Sequence, residues 1–332
     1  MNRVGSGLVF VAALTLGFAS MSRAGAAPNA PITPSPFNEA HVSVSAGYVP
    51  IVGDFDGDGH SDVFWYHPGP GADYVWWGTG NASTFGTAQD QFVVNGSYRP
   101  VAGDFNGDGR TDIAWIPVDF PAQSYVWLGN ANRTFTSGQP LGSYGLPKLT
   151  YRARVFAGDF NGDGKDDLFV YSPGSHRVVL FGAASFTTMF TSDSFTPVVH
   201  GDYAPIAADF NGDGRTDIYW AQFAKGPCYV WVTKPNTTFT SSRIDCVPPT
   251  SFAGDFNGDG NADIFEYEAG SFAERILPGT ASQIAPITFA STIVPNVVGT
   301  YTPVVGKFGS NAKSDIIWYS GTGAPSPFWI AR

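Results

Sequence analysis

The chain has 332 residues, of which 43% are hydrophobic, 15% aromatic and only 14% charged. So few charges exclude a coiled coil or a long charged helix. Forty Gly and 25 Pro are too many for a helical protein, and the aromatic content is too high for a disordered one. The remaining class is a soluble all-β protein with many tight turns. The net charge of −10 argues against nucleic acid as a partner and favours a cation.

The first 36 residues are set apart from the rest of the chain. Residues 1–3 are basic, residues 8–19 form a short apolar run, and Ala24-Gly25-Ala26 has the small residues of a cleavage site. We therefore expect a cleaved signal peptide over 1–26, a flexible lead-in over 27–36, and a secreted, extracellular protein. No later segment has 18 continuous apolar residues, so we expect no membrane span.

A nonapeptide repeats along the remaining chain. Its first copy, residues 54–62, reads Asp-Phe-Asp-Gly-Asp-Gly-His-Ser-Asp. It recurs at 104–112, 159–167, 209–217 and 255–263, and a degraded sixth copy stands at 307–315. The first positions are 50, 55, 50, 46 and 52 residues apart. A period near 50 with short strands predicts the blades of a β-propeller, each made of four strands.

Strands are predicted around each copy. An apolar stretch such as 100–103 comes before the motif, a run such as 113–116 or 218–220 follows it, and a third run, 125–128 or 229–232, comes after a turn. A weaker fourth strand is predicted near a recurrent Phe, at Phe85, Phe135, Phe239 and Phe289.

The two ends of the chain predict how the ring closes. The last repeat supplies three strands (303–308, 316–319 and 328–331), while residues 37–46 have the pattern of a fourth strand. We therefore expect one domain over 37–332, an all-β, six-bladed β-propeller of four-stranded blades whose last blade is closed by the N-terminal strand. The alternative is a ring of seven blades.

The nonapeptide also predicts calcium sites. Positions 1, 3, 5 and 9 carry oxygen side chains in all five intact copies, Gly at position 6 permits a sharp bend, and position 7 would offer its backbone carbonyl. Six to eight oxygen ligands suit Ca²⁺ better than Mg²⁺, which demands a small octahedral cage. We expect about five calcium ions that stabilise the fold, held by positions 1, 3, 5, 7 and 9 of each copy: Asp54, Asp56, Asp58, His60 and Asp62; Asp104, Asn106, Asp108, Arg110 and Asp112; Asp159, Asn161, Asp163, Lys165 and Asp167; Asp209, Asn211, Asp213, Arg215 and Asp217; Asp255, Asn257, Asp259, Asn261 and Asp263.

The loop is not an EF-hand, which needs a Glu at position 12 and a following helix. Simple hairpin turns are the other interpretation, but a turn needs no acid at position 9. The sixth copy has lost the acids at positions 1, 3 and 5. We expect it to bind no ion and to use the charge of Lys307 instead.

These loops, each preceded by Gly or Ala and followed by Ile, Leu or Val, resemble FG-GAP/VCBS-type repeats. Such repeats form integrin α-subunit propellers and occur in many secreted bacterial and fungal proteins, some of them lectins. The resemblance covers residues 40–332 and implies calcium-stabilised blades. It does not fix the function, because the family includes adhesion proteins, lectins and domains attached to enzymes.

Three functions are compatible with the sequence. Nine Trp near the second and third strands favour a carbohydrate-binding, lectin-like or adhesion module, and the adjacent pair Trp76 and Trp77 is the candidate ligand site because one ring is expected to face outward. A polysaccharide lyase or hydrolase would have to use Glu266, Glu268 or Glu274, and no catalytic motif is found, so we expect no enzyme. The third function is a scaffold that binds an extracellular protein. We expect a monomer in all three cases.

The chain has two cysteines. Cys228 and Cys246 lie within one repeat, and in an oxidising compartment they are expected to form a disulfide bond.

Overall fold

The computed structural model describes residues 37–118, 123–140, 153–173, 178–185, 188–193, 199, 201–223, 226–235, 238–268, 274–280, 292–293, 297 and 299–332. The predicted signal peptide and lead-in lie outside these residues. Within the described ranges, no helix combines the length and the apolar character that a bilayer crossing requires.

The described strands form six antiparallel sheets of four strands each. We number the sheets 1–6 in the order of the nonapeptide loops, which we number in the same way. Sheet 1 contains β2 (Val49–Gly53), β3 (Asp62–Tyr66), β4 (Asp73–Trp76) and β5 (Gln89–Phe92); sheet 2 contains β6 (Tyr98–Gly103), β7 (Asp112–Pro117), β8 (Tyr125–Asn130) and β9 (Thr134–Pro140); sheet 3 contains β10 (Arg154–Gly158), β11 (Asp167–Tyr171), β12 (Val178–Ser185) and β13 (Thr188–Asp193). Sheet 4 contains β14 (Tyr203–Ala208), β15 (Asp217–Gln222), β16 (Cys228–Lys234) and β17 (Thr238–Ile244); sheet 5 contains β18 (Phe252–Gly254), β19 (Asp263–Glu266), β20 (Arg275–Leu277) and β21 (Thr292–Ile293); sheet 6 contains β22 (Thr302–Gly306), β23 (Asp315–Tyr319), β24 (Pro325–Ala331) and β1 (Phe37–Ser43).

The sheets are arranged as a closed ring. The first strand of each sheet contacts the first strands of its two neighbours, in the order β22, β2, β6, β10, β14, β18 and back to β22. A closed ring leaves no first strand exposed at an end, which removes the edges on which other chains could pair.

The N-terminal strand closes the last sheet, as the sequence predicted. β1 pairs antiparallel with β24, from Phe37 opposite Ala331 to Ser43 opposite Pro325. The strand ends three residues earlier than the predicted 37–46.

The prediction of a six-bladed propeller of four-stranded blades is wrong. Five sheets are full blades, but sheet 5 is reduced to strands of 3, 4, 3 and 2 residues. One cause is Pro278, which directly follows β20 and cannot donate a backbone hydrogen bond to extend it. No strands of a seventh sheet are present among the described residues, so the alternative of seven blades is not supported either.

The fourth strand was predicted correctly in two sheets and wrongly in one. Phe135 and Phe239 lie within β9 and β17. Phe85 instead follows a short 3₁₀ turn, Ala82–Thr84, whose N-terminus is capped by Asn81, so the fourth strand of sheet 1 begins later. Phe289 lies outside the described residues.

The core lies between the sheets. In β3, β11 and β23 every residue is buried, because a second strand is covered by a neighbouring sheet on each face. Aromatic edge-to-face pairs join consecutive sheets, with ring centroids about 5 Å apart, the spacing such pairs prefer. They are Tyr66 with Trp115 (5.1 Å), Tyr171 with Trp220 (5.0 Å) and Trp65 with Tyr319 (5.2 Å).

Tyrosines also fix the crossovers from one sheet to the next. The Tyr66 hydroxyl at the end of β3 donates to the Gly96 carbonyl (2.7 Å) and accepts from the Tyr98 N–H (3.0 Å). Tyr267 makes the same pair of bonds with the Gly299 carbonyl and the Tyr301 N–H. A Gly-x-Tyr motif recurs where a first strand begins, and it marks this contact. The role of the motif was not predicted from the sequence.

The ring therefore has two distinct faces. Each nonapeptide loop joins a first to a second strand, and each third-to-fourth turn lies at the same end; we call this end the loop face. The tyrosine crossovers lie at the other end, which we call the opposite face. The predicted disulfide is confirmed: it joins Cys228 and Cys246 across 18 residues, with Cα atoms 5.1 Å apart.

Candidate metal centre

The first loop brings three carboxylates together on the loop face. The ligand oxygens of Asp54, Asp56 and Asp58 lie within 4.8 Å of one another. A single Ca²⁺ binds oxygens at about 2.3–2.6 Å, so it can bridge oxygens at this separation. The arrangement therefore fits a calcium ion.

Backbone hydrogen bonds to position 1 create this geometry. In loop 2, both oxygens of Asp104 accept from the loop's own N–H groups: Gly107 at 2.8 Å, Asp108 at 3.1 Å and Gly109 at 2.8 Å. The Gly residues at positions 4 and 6 donate to position 1 in all five intact loops. The chain therefore curls around one carboxylate.

Glycine is required at position 4 for two reasons. Gly57 has φ of +75°, a region that other L-residues rarely adopt, and a Cβ at this position would lie 2.8 Å from the Cγ of Arg110 in the next loop. The position-7 side chain thus crosses onto the preceding loop. The sequence predicted only a backbone carbonyl ligand at position 7, and that role stays a prediction.

Position 5 uses one carboxylate oxygen for the loop and keeps the other, and so does Asp56 at position 3 of loop 1, whereas position 3 of loops 2–5 is Asn with a single side-chain oxygen. In every intact loop the N–H of position 5 donates to the side-chain oxygen of position 3, and the N–H of position 7 donates to Oδ1 of position 5. The side-chain oxygens of positions 1, 3 and 5 are the ones that would hold a cation.

Basic side chains balance part of this charge. At position 7 of loops 2–4 they pair with the position-5 carboxylate of the same loop: Arg110 with Asp108, Lys165 with Asp163 (3.8 Å) and Arg215 with Asp213 (3.8 Å). Such solvent-accessible pairs contribute about 0–1 kcal/mol. They leave the three loops negatively charged.

Position 9 has a different place from the other predicted ligands. Asp62 is fully buried; its Oδ2 accepts from the Phe55 N–H (2.8 Å) and its Oδ1 from the Gly78 N–H (2.7 Å) at the end of the third strand. Asp112 accepts in the same way from Phe105 and Gly129. The structure therefore shows position 9 fastening the loop to the third strand, and it does not join Asp54, Asp56 and Asp58 in their cluster.

Burial controls the electrostatics of position 9. Loss of solvation raises the pKa of Asp62 and of Asp112 to about 8, and that of Asp217 to about 7, although the backbone N–H bonds act in the other direction. Neighbouring loop carboxylates raise these pKa values further. In the absence of a cation, the charged form of position 9 is therefore disfavoured.

Position 8 links neighbouring loops into a belt. The N–H of position 8 donates to the backbone carbonyl of position 1 in the preceding loop, at all six junctions. At four junctions the position-8 side chain also accepts from the position-1 N–H, as Thr111 Oγ1 does from Asp54 (3.0 Å). This role was not predicted from the sequence, although a Ser, Thr or Asp at position 8 in five of the six copies indicates it. Each loop is thus mechanically connected to the next.

Comparison with known proteins agrees with this repeat geometry. A family model described as FG-GAP-like repeat matches residues 54–115, 104–170, 159–220 and 209–266. The chain belongs to the FG-GAP-like repeat family. Each matched segment contains two successive loops of this FG-GAP-like protein, and together they cover loops 1–5.

Solved structures are similar to this FG-GAP-like protein at low sequence identity. A lectin of Agrocybe aegerita, described as recognising non-reducing terminal N-acetylglucosamine, is 18% identical over 86% of this chain and 80% of that chain, with a TM-score of 0.55. The Tc holotoxin pore of Photorhabdus luminescens is 15% identical over 89% of this chain but only 15% of that chain, with a TM-score of 0.55. The SapL1 lectin in complex with alpha methyl fucoside is 10% identical over 87% of this chain and 95% of that chain, with a TM-score of 0.48. No curated protein sequence matches the chain.

The sixth loop lies outside the matched segments and keeps only part of the geometry. Asp315 is buried and accepts from the N–H groups of Phe308 (3.0 Å), Gly309 (2.8 Å) and Ala331 (2.8 Å). Because a loop without acids at positions 1, 3 and 5 retains position 9, the role of position 9 is independent of those acids. Lys307 is exposed, and its neutralising role stays a prediction.

The predicted aromatic ligand site is not on the surface. Trp76 is 9% exposed and packs against Trp65 and Phe85, whereas Trp77 is 1% exposed and donates from Nε1 to Asp90 (2.7 Å). The expectation that one of the pair faces outward is wrong, because the neighbouring sheets cover both faces of this strand end. Of the other seven Trp in the chain, six are also buried.

Two of the three glutamates considered for catalysis have structural partners, and the third, Glu268, is exposed. Glu266 is buried and holds Arg275 with two contacts, one of them 2.9 Å from Nη2 to Oε1. Glu274 is buried and accepts from the Val297 N–H (3.2 Å). Both carboxylates are therefore part of the construction of sheet 5.

Proposed function

We propose that this protein is a calcium-stabilised propeller that binds carbohydrate and carries out no catalysis. The observation that carries the calcium part is the convergence of Asp54, Asp56 and Asp58 within 4.8 Å, in a loop whose backbone bonds recur four more times. Positions 1, 3 and 5 of loops 1–5 would hold the ions. Bound calcium supplies positive charge that offsets the crowded carboxylates.

Calcium would stabilise the whole ring. A ligand that binds the folded state alone stabilises it by mass action. Because position 8 ties each loop to the preceding one, an ion that rigidifies one loop also holds the attachment point of the next.

The carbohydrate part is supported by the fold and by one surface feature. The A. aegerita lectin, with which the chain shares its fold, is described as recognising a terminal sugar. Phe223 lies on the opposite face and is 51% exposed. Among the described residues, the other exposed large hydrophobic side chains are valines, so Phe223 is the one that offers an aromatic ring. The Arg154 guanidinium lies 4.9 Å from the centre of that ring and donates from Nε to the Tyr203 carbonyl (3.0 Å).

This pair has the chemistry of a sugar contact. The ring offers an apolar surface to the C–H face of a pyranose, and the guanidinium offers further donors to its hydroxyl groups. The site that we propose for carbohydrate is therefore Phe223 with Arg154, in place of Trp76 and Trp77.

A glycan array with the purified protein in millimolar calcium tests the proposal. We expect binding that Phe223→Ala abolishes and that Val118→Ala leaves intact, since Val118 is an equally exposed apolar residue at the end of another second strand on the same face. An array with no bound glycan in calcium, or binding unchanged in Phe223→Ala, contradicts the carbohydrate part.

A scaffold that binds an extracellular protein is the second candidate. The exposed large hydrophobic residues of the described chain, Val49, Val93, Val118 and Phe223, all lie at strand ends on the opposite face. Exposed apolar residues gathered on one face are typical of a protein interface. Binding to a target surface that survives enzymatic deglycosylation of that surface would favour this candidate over a lectin.

We also propose that the protein is secreted. The disulfide between Cys228 and Cys246 supports this, because such bonds persist in oxidising compartments. Mass spectrometry of the culture medium would test it, with an N-terminus near residue 27 as the expected result.

A further inference from the structure

Arg133 is placed against loop 1 by the turn of the next sheet. It ends the β8–β9 turn and has φ of +63°, the only positive φ of a non-glycine residue among those the structure describes. A bulky side chain in this conformation is costly, so surrounding contacts must hold it there.

Those contacts are with the acids of loop 1. Arg133 Nε lies 2.9 Å from Asp56 Oδ2, and Nη2 lies 3.8 Å from Asp58 Oδ2. The guanidinium is 5.5 Å from the centre of the Trp77 ring, so it lies between an aromatic face and two carboxylates. The Asp56 side chain is only 4% exposed, which makes its partner important because a buried carboxylate without a cation is unfavourable.

Loop 1 is also the loop with one extra acid. Position 3 is Asp56 here and Asn in loops 2–5. The extra carboxylate is the one that Arg133 contacts, so the additional negative charge and the arginine compensate each other.

Loop 3 shows the matching absence of both. Phe239 of sheet 4 packs on Phe160 of loop 3 (6.4 Å) as Phe135 of sheet 2 packs on Phe55 of loop 1 (5.5 Å). Two residues before Phe239 the sequence has Thr237, where Arg133 stands two residues before Phe135, and position 3 of loop 3 is Asn161. An Asp with an Arg in one repeat therefore corresponds to an Asn with a Thr in another.

We propose that Arg133 is an internal counter-cation for loop 1, which takes part of the role that a divalent ion has in the other loops and competes with that ion. The inference rests on the proposed calcium binding. On acid count alone, loop 1 would bind calcium most tightly of the five. With the guanidinium at Asp56 and Asp58, it binds calcium more weakly than its acid count alone predicts.

Two readouts test the proposal with wild type, Arg133→Gln, Asp56→Asn and the double variant. Gln removes the charge without the β-branched side chain that a positive φ disfavours. The first readout is the melting temperature in EDTA. We expect Arg133→Gln to melt about 2–6 °C lower than wild type, because Asp56 loses its charged partner, and the double variant to recover most of that loss. Arg110→Gln is the matched control; its partner Asp108 is 31% exposed where Asp56 is 4% exposed, and we expect a change below about 2 °C.

The second readout is equilibrium binding of radioactive calcium. We expect the affinity of one site to rise about tenfold in Arg133→Gln, since a positive charge has been removed from its neighbourhood. Equal melting of all four proteins in EDTA, or no site whose affinity rises in Arg133→Gln, overturns the proposal. A wild-type protein that binds no calcium at any loop overturns the proposed function, while the melting cycle in EDTA still decides whether Arg133 neutralises Asp56.

Discussion

Position 9 of the nonapeptide can be tested apart from the cation, in the sixth loop. Asp315 accepts three backbone N–H groups there, and that loop has no acid at positions 1, 3 or 5. We predict that Asp315→Asn destabilises the protein equally in calcium and in EDTA.

The magnitude follows from the acceptors that are lost. Asn has one side-chain oxygen where Asp has two, so either the Ala331 N–H or the pair from Phe308 and Gly309 loses its acceptor and faces an NH₂ group. An unsatisfied buried donor costs about 1–3 kcal/mol. Burial of the charge works the other way, since it raises the pKa of Asp315 to about 6. We therefore expect a loss of about 1–2 kcal/mol, or a melting temperature about 2–6 °C lower.

Thermal denaturation followed by circular dichroism measures this effect. Asp259→Asn, at position 5 of loop 5, is the control: its side chain is exposed and belongs to the proposed ligand set, so its effect should be large in calcium and small in EDTA. The reasoning about position 9 is refuted if Asp315→Asn melts with wild type under both conditions, or if its deficit disappears in EDTA.

Three further predictions concern the rest of the ring. Tyr66→Phe removes the hydroxyl between the Gly96 carbonyl and the Tyr98 N–H. Urea denaturation should show that the free energy of unfolding falls by about 1–3 kcal/mol, and an unchanged midpoint would contradict the crossover role. Burial raises the pKa of Asp62 and Asp112 to about 8, so in EDTA the folded state binds protons that the unfolded chain, with carboxyl pKa values near 3.9, releases. The stability linked to these protons is fully present below about pH 4 and is lost as the pH rises through about 8. The melting temperature in EDTA should therefore rise as the pH is lowered from 8 to 6, and a lower melting temperature at pH 6 would contradict this prediction. Reduction of the disulfide, which closes a loop of 18 residues, should cost about 3 kcal/mol by the same urea assay, and no change on adding reductant would contradict its stabilising role.

The sequence was sufficient where the pattern is local and repeated. The loops, the strands beside them and the closure by β1 follow from the spacing of identical motifs along the chain. The alternating oxygens of Asp54, Asp56 and Asp58 likewise converge within one turn, so their grouping could be predicted without tertiary information.

Features that depend on a neighbouring sheet could not be predicted in this way. In the motif, position 9 resembles a metal ligand. In the structure, Asp62 instead accepts a hydrogen bond from the Gly78 N–H at the end of the third strand. The sequence suggests that Trp76 or Trp77 is exposed, because adjacent strand residues face opposite ways. In the structure, neighbouring sheets cover both faces of this strand end. Arg133 reaches loop 1 from the turn of sheet 2, and nothing in the nonapeptide points to it.

The central claim is that the acidic loops hold calcium. The most direct measurement is an anomalous difference map from crystals grown in millimolar calcium, recorded at a long X-ray wavelength. We expect peaks beside positions 1, 3 and 5 of loops 1–5 and none at loop 6. A map without peaks at any of loops 1–5 would contradict it.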